Sequence, residues 1–540
     1  MKKNQQKFIK LNPFTLAIAS VSGAVTALVV TAAKAQKARK NQKLAPQDVQ
    51  PEAIPNSFTA TYARAGSADG YADGTVTVTV NMTAEEAVGR RIVMYWGNEE
   101  GRLKGYTALP LRKVQGEVTV FTFGKNVLIP AGATKLMVYT ADADGVLSEE
   151  CAILDLPEGS AHGGFEDSDA ELWVMSDVHL TSDPNHTHNR NFVSMLRNVR
   201  DVSPDALGLF IVGDMANSGN ETEYQSLVAM HAEAGDVPPL FLTIGNHDFY
   251  NNSFEEGRAK FLRYATLPDG THPATTTYDF WLGGYHFISL STDEPDGLDA
   301  IFHPSTMDWL REKLDENRDP ARPAFLFLHQ SLYDTVSGSL PGERWHGVQN
   351  DQMLRDVLAD HPEVMFFNGH SHWTMDSVGN MFEGDSKLPC RIFNCASVAY
   401  LWSGYNVVTG EHLNGSQGYM VKLYDGKLYV LGRDFAKGEW IPAAQYCIML
   451  KEPEPETEAP TEAESEGSDE PVETSETVTE TEPITVPDPV PDTEVGATPD
   501  TDTSHVTEPV AEKGCGSVVS LAGLCMLIPA VAAFAYKREE

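Results

Sequence analysis

Residues 239–248 read Pro-Leu-Phe-Leu-Thr-Ile-Gly-Asn-His-Asp, and the architecture of the chain can be worked out from this stretch. An apolar run that stops abruptly at polar residues predicts a buried strand, which here delivers Asn246, His247 and Asp248 to one place. Similar runs, each followed by aspartate, asparagine or histidine, occupy residues 171–176, 207–212, 324–328 and 364–367. In an open α/β sheet, ligands bind in the crevice beyond the carboxyl ends of the strands, so we expect these five ends to converge.

The residues at these strand ends supply carboxylate, imidazole and amide groups. They are Asp177, His179, Asp214, Asn246, His329, His370 and His372. Two divalent ions held about 3.5–4 Å apart can share a bridging hydroxide and clamp a phosphoryl group. The mixed nitrogen and oxygen set suits Mn, Fe or Zn better than copper or an iron–sulfur cluster. Asp-x-His, Gly-Asp, Gly-Asn-His-Asp, a strand-end His and Gly-His-x-His, in this order, therefore predict a two-metal enzyme.

From about residue 170 to 435 the sequence resembles the calcineurin-like metallophosphoesterases, whose fold is two packed sheets flanked by helices. The resemblance implies that one metal is held by Asp177, His179, Asp214 and His372. It implies that the other is held by Asp214 as the bridge together with Asn246, His329 and His370. It also implies that His247 faces the phosphate, stabilises its developing charge and protonates the leaving oxygen. Asp248 either orients His247 or caps a helix, and both alternatives stay open.

Two positions depart from well-known branches of that family. Asn217 stands three residues after Asp214, where purple acid phosphatases carry a tyrosine ligand and Ser/Thr protein phosphatases an aspartate. Ser218 stands where the protein phosphatases have a phosphate-binding arginine. The pattern Gly-Asp-x-x-Asn-x-Gly over residues 213–219 is more similar to bacterial phosphodiesterases and phosphohydrolases. We therefore expect no iron–tyrosinate colour and no activity on phosphoserine proteins.

Two alternatives to a phosphoesterase fit the sequence less well. A metallo-β-lactamase needs His-x-His-x-Asp-His, and residues 186–191, His-Thr-His-Asn-Arg-Asn, do not match it. A surface adhesin would use its β-rich part to bind glycan and keep the phosphoesterase domain only as a relic. Every ligand position of that domain is filled, which argues against a relic. The substrate expected is a small-molecule phosphate ester, and no nucleic acid is expected as a stable partner.

The metallophosphoesterase domain is predicted to span residues 168–450. Apolar residues recur with helical spacing over 191–202, 221–234, 305–314 and 351–358, and alternating runs across Asp425-Gly426 predict a β-hairpin. Strands that alternate with helices indicate a mainly parallel sheet covered by helices. We expect the loops at 250–264, 333–345 and 373–387 to contact the leaving group and to determine which leaving group is accepted.

Residues 56–157 are predicted to form a separate β-sandwich of immunoglobulin or fibronectin type. Short β-branched or aromatic runs lie at 58–64, 74–82, 91–95, 118–123 and 135–139, between clusters of Gly, Asp and Asn. Such a domain either positions substrate or carbohydrate, or serves as a spacer. Residues 36–55, rich in Gln, Lys and Pro, are predicted to be a linker.

The two ends of the chain predict export and a membrane anchor. Residues 1–35 contain lysines followed by an apolar stretch, as in a signal peptide or an uncleaved signal anchor. The formal net charge is -37, and about half of it lies in the Glu-, Thr- and Pro-rich segment 451–513, which is predicted to be a disordered spacer. Residues 516–536 are apolar and precede Lys537-Arg538, so a C-terminal transmembrane segment is predicted. We expect a cell-surface, membrane-anchored protein with an extracellular catalytic domain.

The remaining reactive and aromatic residues receive simpler interpretations. The six cysteines form no Cys-x-x-Cys pair and are interpreted as core residues, although one bridge among Cys390, Cys395 and Cys447 is conceivable. His186, His188, His303 and His346 are interpreted as loop histidines, since none ends a strand. Tyr333, Trp345, Trp373 and Tyr405 are interpreted as packing residues that could also wall a base or sugar.

Overall fold

The computed structural model describes residues 58–450, except 65–69, 81, 84, 111, 115, 125–126, 344, 378 and 403–411. The predicted signal segment, linker, acidic spacer and C-terminal apolar segment lie outside the described residues, as does Tyr405. Among the helices that are described, none is both long and apolar enough to cross a membrane.

The described chain begins with short strands and continues as strands that alternate with helices. The first group is β1 Phe58–Ala63, β2 Tyr71–Ala72, β3 Thr75–Val80, β4 Arg91–Asn98, β5 Gly101–Arg102, β6 Arg112–Lys113, β7 Val118–Thr122, β8 Val127–Leu128, β9 Lys135–Ala141 and β10 Ala152–Asp155. The second group of strands is β11 Ala170–Met175, β12 Leu209–Val212, β13 Leu240–Thr243, β14 Tyr278–Leu282, β15 Tyr285–Ser289, β16 Ala324–Phe327, β17 Val364–Asn368, β18 Met381–Phe382, β19 Arg391–Asn394, β20 Leu401–Trp402, β21 His412–Leu413, β22 Gln417–Tyr424, β23 Lys427–Asp434 and β24 Glu439–Met449. The helices are α1 Thr187–Val202, α2 Glu221–Glu233, α3 Phe254–Tyr264, α4 Pro304–Asp315 and α5 Gln352–Leu358.

Two mixed sheets pack face to face and carry helices on their outer faces. One has the order β13-β12-β11-β22-β23-β24-β8-β2, and the other the order β14-β15-β16-β17-β19-β18. Phe210 of the first sheet stacks on Phe287 of the second, with ring centroids 4.7 Å apart, inside a continuous apolar core. Alternate side chains face outward, because successive residues of a strand point to opposite faces. There α1, α2 and α3 cover the first sheet, and α4 and α5 cover the second.

The α/β architecture and the mixed sheets confirm the fold class predicted for this part of the chain. The four predicted helices are present, and the predicted hairpin pairs Tyr424 with Lys427 across Asp425-Gly426. The prediction of a loop over 250–264 is wrong. Most of it is α3, whose N-terminus is capped by Ser253 and Glu256 through reciprocal hydrogen bonds.

The N-terminal strands form two antiparallel sheets, β1-β3-β7 and β10-β9-β4-β5 with β6 beside β4. This region is not packed by itself. The short strands β2 and β8 extend the first mixed sheet, where Val127 pairs with Tyr446 of β24. Cys390, Cys395 and Cys447 are buried free thiols, which agrees with their interpretation as core residues.

Candidate metal centre

All seven predicted ligands lie together at the carboxyl ends of strands in the two packed sheets. Asp177 and His179 follow β11, Asp214 follows β12 and Asn246 follows β13 of one sheet. The other three come from the second sheet, where β16 and β17 are followed by His329, His370 and His372. Each of the seven side chains is buried. The five strand ends therefore converge as the sequence predicts.

The ligand atoms form overlapping groups in which neighbouring atoms lie within 4.8 Å of one another. The groups are Asp177, His179 and His372; Asp214, His329 and His370; and His179, Asp214 and His247. Asp214 joins them, because its Oδ2 lies 3.5 Å from Nε2 of His179 and 3.3 Å from Nε2 of His329. The geometry thus provides two adjacent ligand sets with one carboxylate in common.

Backbone carbonyls set the orientation of two of the imidazoles. His329 donates from Nδ1 to the carbonyl of Val212 at 2.9 Å, and His372 donates from Nδ1 to the carbonyl of Tyr400 at 3.2 Å. A carbonyl can only accept, so the proton is on Nδ1 and Nε2 of each ring is left facing the centre. Such outer hydrogen bonds are how proteins fix the tautomer of a metal-binding histidine.

The glycines of the Gly-Asp, Gly-Asn-His-Asp and Gly-His-x-His motifs stand at positions where there is no room for a side chain. A Cβ on Gly213 would lie 2.2 Å from Nδ1 of His329, and one on Gly245 would lie 2.3 Å from Oδ1 of Asp214. A Cβ on Gly369 would lie 1.8 Å from Oγ of Ser176. Each glycine therefore lets one strand end approach a functional side chain of another.

Five of the seven side chains are carried by left-handed backbone. The φ values are 55° at Asp177, 41° at His179, 53° at Asp214, 69° at His370 and 58° at His372. Residues with a side chain rarely adopt this conformation, and strain of this kind costs on the order of 1–3 kcal/mol each and clusters at functional sites. The surrounding packing enforces these angles, which points to a function that needs them.

The electrostatics of the centre favour positive charge. Burial alone would raise the pKa of the Asp214 carboxyl, but His329 and His247 hold that pKa well below its usual range. Burial would lower the pKa of His329, yet Asp214 and Asp177 raise it to about 10. For His370, burial and then the charge of His329 lower the pKa to about 3. The two carboxylates therefore favour a positive charge between them.

The residues present fit a pair of metal ions. Oδ1 of Asn246 and Nε2 of His370 are buried and have no hydrogen-bond partner among the described residues. The Nε2 atoms of His179 and His372 face each other at 3.1 Å. Buried polar atoms normally have partners, and imidazole and carboxylate groups that converge without them are the donor set of a metal site.

His247 and Asp248 lie beside this centre, and neither of the two alternatives for Asp248 is found. Nδ1 of the His247 ring donates to the carbonyl of Asn217 at 2.8 Å, so Asp248 does not hold that ring. Asp248 accepts instead from the backbone N–H groups of Gly245 at 2.8 Å and Ala216 at 3.0 Å. It also does not cap a helix, since it lies inside the short 3₁₀ turn His247–Phe249. Its role is to tie together the two loops that carry Asn246 and Asp214.

Several residues around the centre had no signal in the sequence. Nδ1 of His188 bonds to the carbonyl of His179 at 3.0 Å, and the Tyr400 ring lies on His372 with centroids 4.3 Å apart. His346 comes within 6.4 Å of His370 between ring centroids and bonds through Nδ1 to Asp299 at 3.1 Å. None of these follows a strand in a motif, so only the fold brings them to the site.

Comparison with known proteins finds a match to a family model. Residues 170–374 match the model of the calcineurin-like phosphoesterases, a family whose members use dinuclear metal centres. A probable cyclic nucleotide phosphodiesterase of Synechococcus sp. is 25% identical over 206 residues, which are 37% of this chain and 71% of that protein. The predicted resemblance is confirmed.

Two solved structures overlap with the chain more loosely. A purple acid phosphatase from yellow lupin seeds is 12% identical and covers 72% of this chain and 74% of its own, with a TM-score of 0.39. A 5'-nucleotidase from Candida albicans is 14% identical and covers 50% of this chain and 51% of its own, with a TM-score of 0.29. At these scores neither overlap bears on the function.

Proposed function

We propose that the protein is a two-metal phosphoesterase that hydrolyses phosphomonoesters or phosphodiesters, with His247 as the general acid. The observation that carries the proposal is the shared position of Asp214, whose Oδ2 lies between Nε2 of His179 and Nε2 of His329. A carboxylate common to two ligand sets is what adjacent metal ions need as a bridge. The description of the Synechococcus relative as a probable cyclic nucleotide phosphodiesterase favours phosphodiesters over phosphomonoesters as substrates.

In this proposal each ion has its own ligand set around the shared carboxylate. The first set is Asp177, His179, Asp214 and His372. The second set is Asp214, Asn246, His329 and His370. When bound, two such ions activate water as a nucleophile and neutralise the charge that develops on the phosphoryl oxygens. Mn, Fe and Zn all suit the donor set.

His247 is suited to deliver a proton to the leaving oxygen. Its Nδ1 is occupied by the carbonyl of Asn217, which leaves Nε2 as the atom that can carry the transferred proton. Its ring meets the His179 ring edge to face, with centroids 4.5 Å apart, so it stands next to the first ligand set. The side chain is only partly buried, which leaves it accessible to a substrate.

Metal content and hydrolysis together test this function. The purified fragment 56–450 should bind two divalent ions and hydrolyse bis-p-nitrophenyl phosphate or p-nitrophenyl phosphate. Chelation should abolish the activity and Mn should restore it. Elemental analysis that finds no metal after reconstitution would refute the proposal.

We also propose that the enzyme acts at the cell surface and that residues 56–157 form an immunoglobulin- or fibronectin-like sandwich beside the catalytic domain. The location rests on the lysine-flanked apolar segment 1–35 and on the apolar segment 516–536. Fractionation of cells that express the full chain, followed by protease treatment of intact cells, tests it. Catalytic domain that resists the protease on intact cells and fractionates with the cytoplasm would contradict it.

A further inference from the structure

A cavity of about 170 Å³ opens beside the candidate metal centre and shares residues with it. Gly245 and Asn246 line it, and so does Tyr250, whose hydroxyl accepts a hydrogen bond from Nδ2 of Asn246 at 3.2 Å. The Tyr250 ring also lies on His247, with centroids 4.1 Å apart. An organic group esterified to a phosphate at the centre can therefore extend into this cavity.

One wall of the cavity is aromatic. Phe249, Tyr250 and Phe254 line it, and the rings of Phe249 and Phe254 stack with centroids 4.9 Å apart. The face of an aromatic ring is electronegative and attracts a cation held within about 6 Å of its centroid. The Arg258 guanidinium already lies over the Phe254 ring at 5.4 Å, which leaves Phe249 and Tyr250 to contact a bound cation. Aromatic side chains of this kind can bind either a flat ring or an ammonium group of a ligand.

Two acidic residues also line the cavity, and their charge decides between a flat ring and an ammonium group. Asp296 and Asp299 line the cavity and are fixed by the Gln349 side chain, whose Nε2 lies 3.0 Å from Oδ2 of Asp296 and 3.3 Å from Oδ2 of Asp299. Oδ1 of Asp299 is bonded to Nδ1 of His346 at 3.1 Å, so Asp296 is the carboxylate without a titratable partner of this kind. Neither lysine nor arginine is found among the lining residues that the structure describes. The buried ammonium of Lys260 bonds to Oδ1 of Asn252 at 2.6 Å, and of this pair only Asn252 lines the cavity. Two carboxylates in a lining that also contains aromatic rings favour a cation and disfavour a second phosphate.

The size of the cavity limits the occupant further. A cavity of about 150 Å³ holds a single benzene ring. The cavity beside Tyr250 is only slightly larger, so it has room for one ring or one trimethylammonium group. A nucleoside, with a base and a sugar, is too large to enter it completely.

We propose that this cavity receives the cationic head group of an amino alcohol whose hydroxyl is esterified to the phosphate, with choline as the model. The inference rests on the phosphoesterase function proposed above and names the substrate class of the same site. With p-nitrophenyl phosphorylcholine, the water oxygen forms a new bond to phosphorus and the bond to the nitrophenyl oxygen breaks. The electron pair leaves with p-nitrophenolate, the other product is phosphocholine, and the released protons go to solvent.

Three diesters with the same leaving group test the proposal on the metal-loaded protein. They are the p-nitrophenyl phosphates of choline, of its uncharged isostere 3,3-dimethylbutanol, and of thymidine through its 5' oxygen. We expect the kcat/KM of the choline ester to exceed that of the isostere by about tenfold or more, and also to exceed that of the thymidine ester. Equal values for choline and the isostere, or a preference for thymidine, would overturn the assignment of the cavity while leaving the phosphoesterase function intact. Hydrolysis of none of the three would refute both.

Substitutions among the acidic and the aromatic lining residues show whether this cavity causes the preference for the choline ester. Asp296→Asn and Phe249→Leu should each lower the ratio of choline ester to isostere by about threefold or more. Asp308→Asn, the same chemical change on an exposed face of α4, should leave that ratio unchanged. Because both substrates are measured on one preparation, a loss of folded protein cancels from the ratio. A choline preference that both wall variants retain in full would place the cation elsewhere and overturn the proposal.

Discussion

Replacing Gly369 by alanine should disable the metal centre in a chain that still folds. A Cβ at this position would lie 1.8 Å from Oγ of Ser176 and 2.3 Å from Oδ2 of Asp177. Because nonbonded heavy atoms pack at about 3.5–4.0 Å, the Asp177 carboxylate has to retreat by roughly 1 Å. That carboxylate also accepts the backbone N–H of His370 at 2.9 Å, so the retreat disturbs two proposed ligands at once.

The packing around Gly369 determines how much stability and activity the alanine variant should lose. Overpacking a well-packed interior costs typically about 1–3 kcal/mol, which is less than the roughly 5–15 kcal/mol of a typical folded protein. The variant should therefore fold. A shift of about 1 Å at a reacting group can cost about 100-fold in rate. We expect kcat/KM to fall by about that factor or more, together with a lower metal content.

Denaturant unfolding, elemental analysis and hydrolysis of bis-p-nitrophenyl phosphate measure the three effects separately. Gly163→Ala is the matched control, since no atom lies within 4 Å of a Cβ built there. The control should keep its stability, metal content and activity. A Gly369→Ala protein that holds two metals and keeps activity within threefold of the unsubstituted protein would refute the reasoning from close approach.

Three further outcomes are expected. His247→Ala should keep both metals and lose about 10²–10⁴ in kcat on esters with a poor leaving group, and distinctly less on p-nitrophenyl esters; equal losses would contradict a proton donor. Asp214→Ala removes the shared carboxylate, so elemental analysis should show lower metal content and every substrate should turn over more slowly; full metal content would contradict the bridge. Glu363→Gln should lower the free energy of unfolding at pH 7 by about 1–2 kcal/mol, because buried Glu363 accepts from Nε of Arg318 at 2.6 Å and Arg318 is partly exposed to solvent. Burial opposes ionisation of Glu363, but His361 and Arg318 lower its pKa in the folded protein. The stabilisation by this ion pair is therefore fully present above the unfolded pKa of about 4.3, and it is lost as the pH falls through the lower pKa of the folded state. Denaturant unfolding across pH 3–7 checks it, and a difference that stayed constant down to pH 3 would contradict the assignment.

The fold and the ligand positions could be predicted because both depend on local patterns. A strand buried on both faces must be apolar along its length, and it ends where the first polar side chain can be satisfied. The run Leu209–Val212, which is buried throughout and precedes Gly213 and Asp214, illustrates both statements. The glycines at 213, 245 and 369 are visible in the sequence for a different reason, since any side chain there would collide with a functional group of another strand.

Elements that depend on distant partners could not be predicted in the same way. The two residues of β8 become a strand because they pair with β2 on one side and, on the other, with β24, some three hundred positions later in the chain. For α3 a local signal was present, since Ser253 and Glu256 have the spacing of a capping box. That helix could have been found from the sequence, whereas β8 could not.

The orientation of the imidazoles could not be predicted either, and the reason is chemical. Three rings at the centre are oriented by backbone carbonyls, those of Val212, Tyr400 and Asn217. Every residue has a backbone carbonyl, so no residue type in the sequence indicates which carbonyl will orient an imidazole. Asn217 shows the consequence, because its side chain marks a departure from the purple acid and protein phosphatases while its carbonyl holds His247 in place. A change of side chain at that position therefore alters which group lies beside the centre without removing the hydrogen bond that orients the proposed acid.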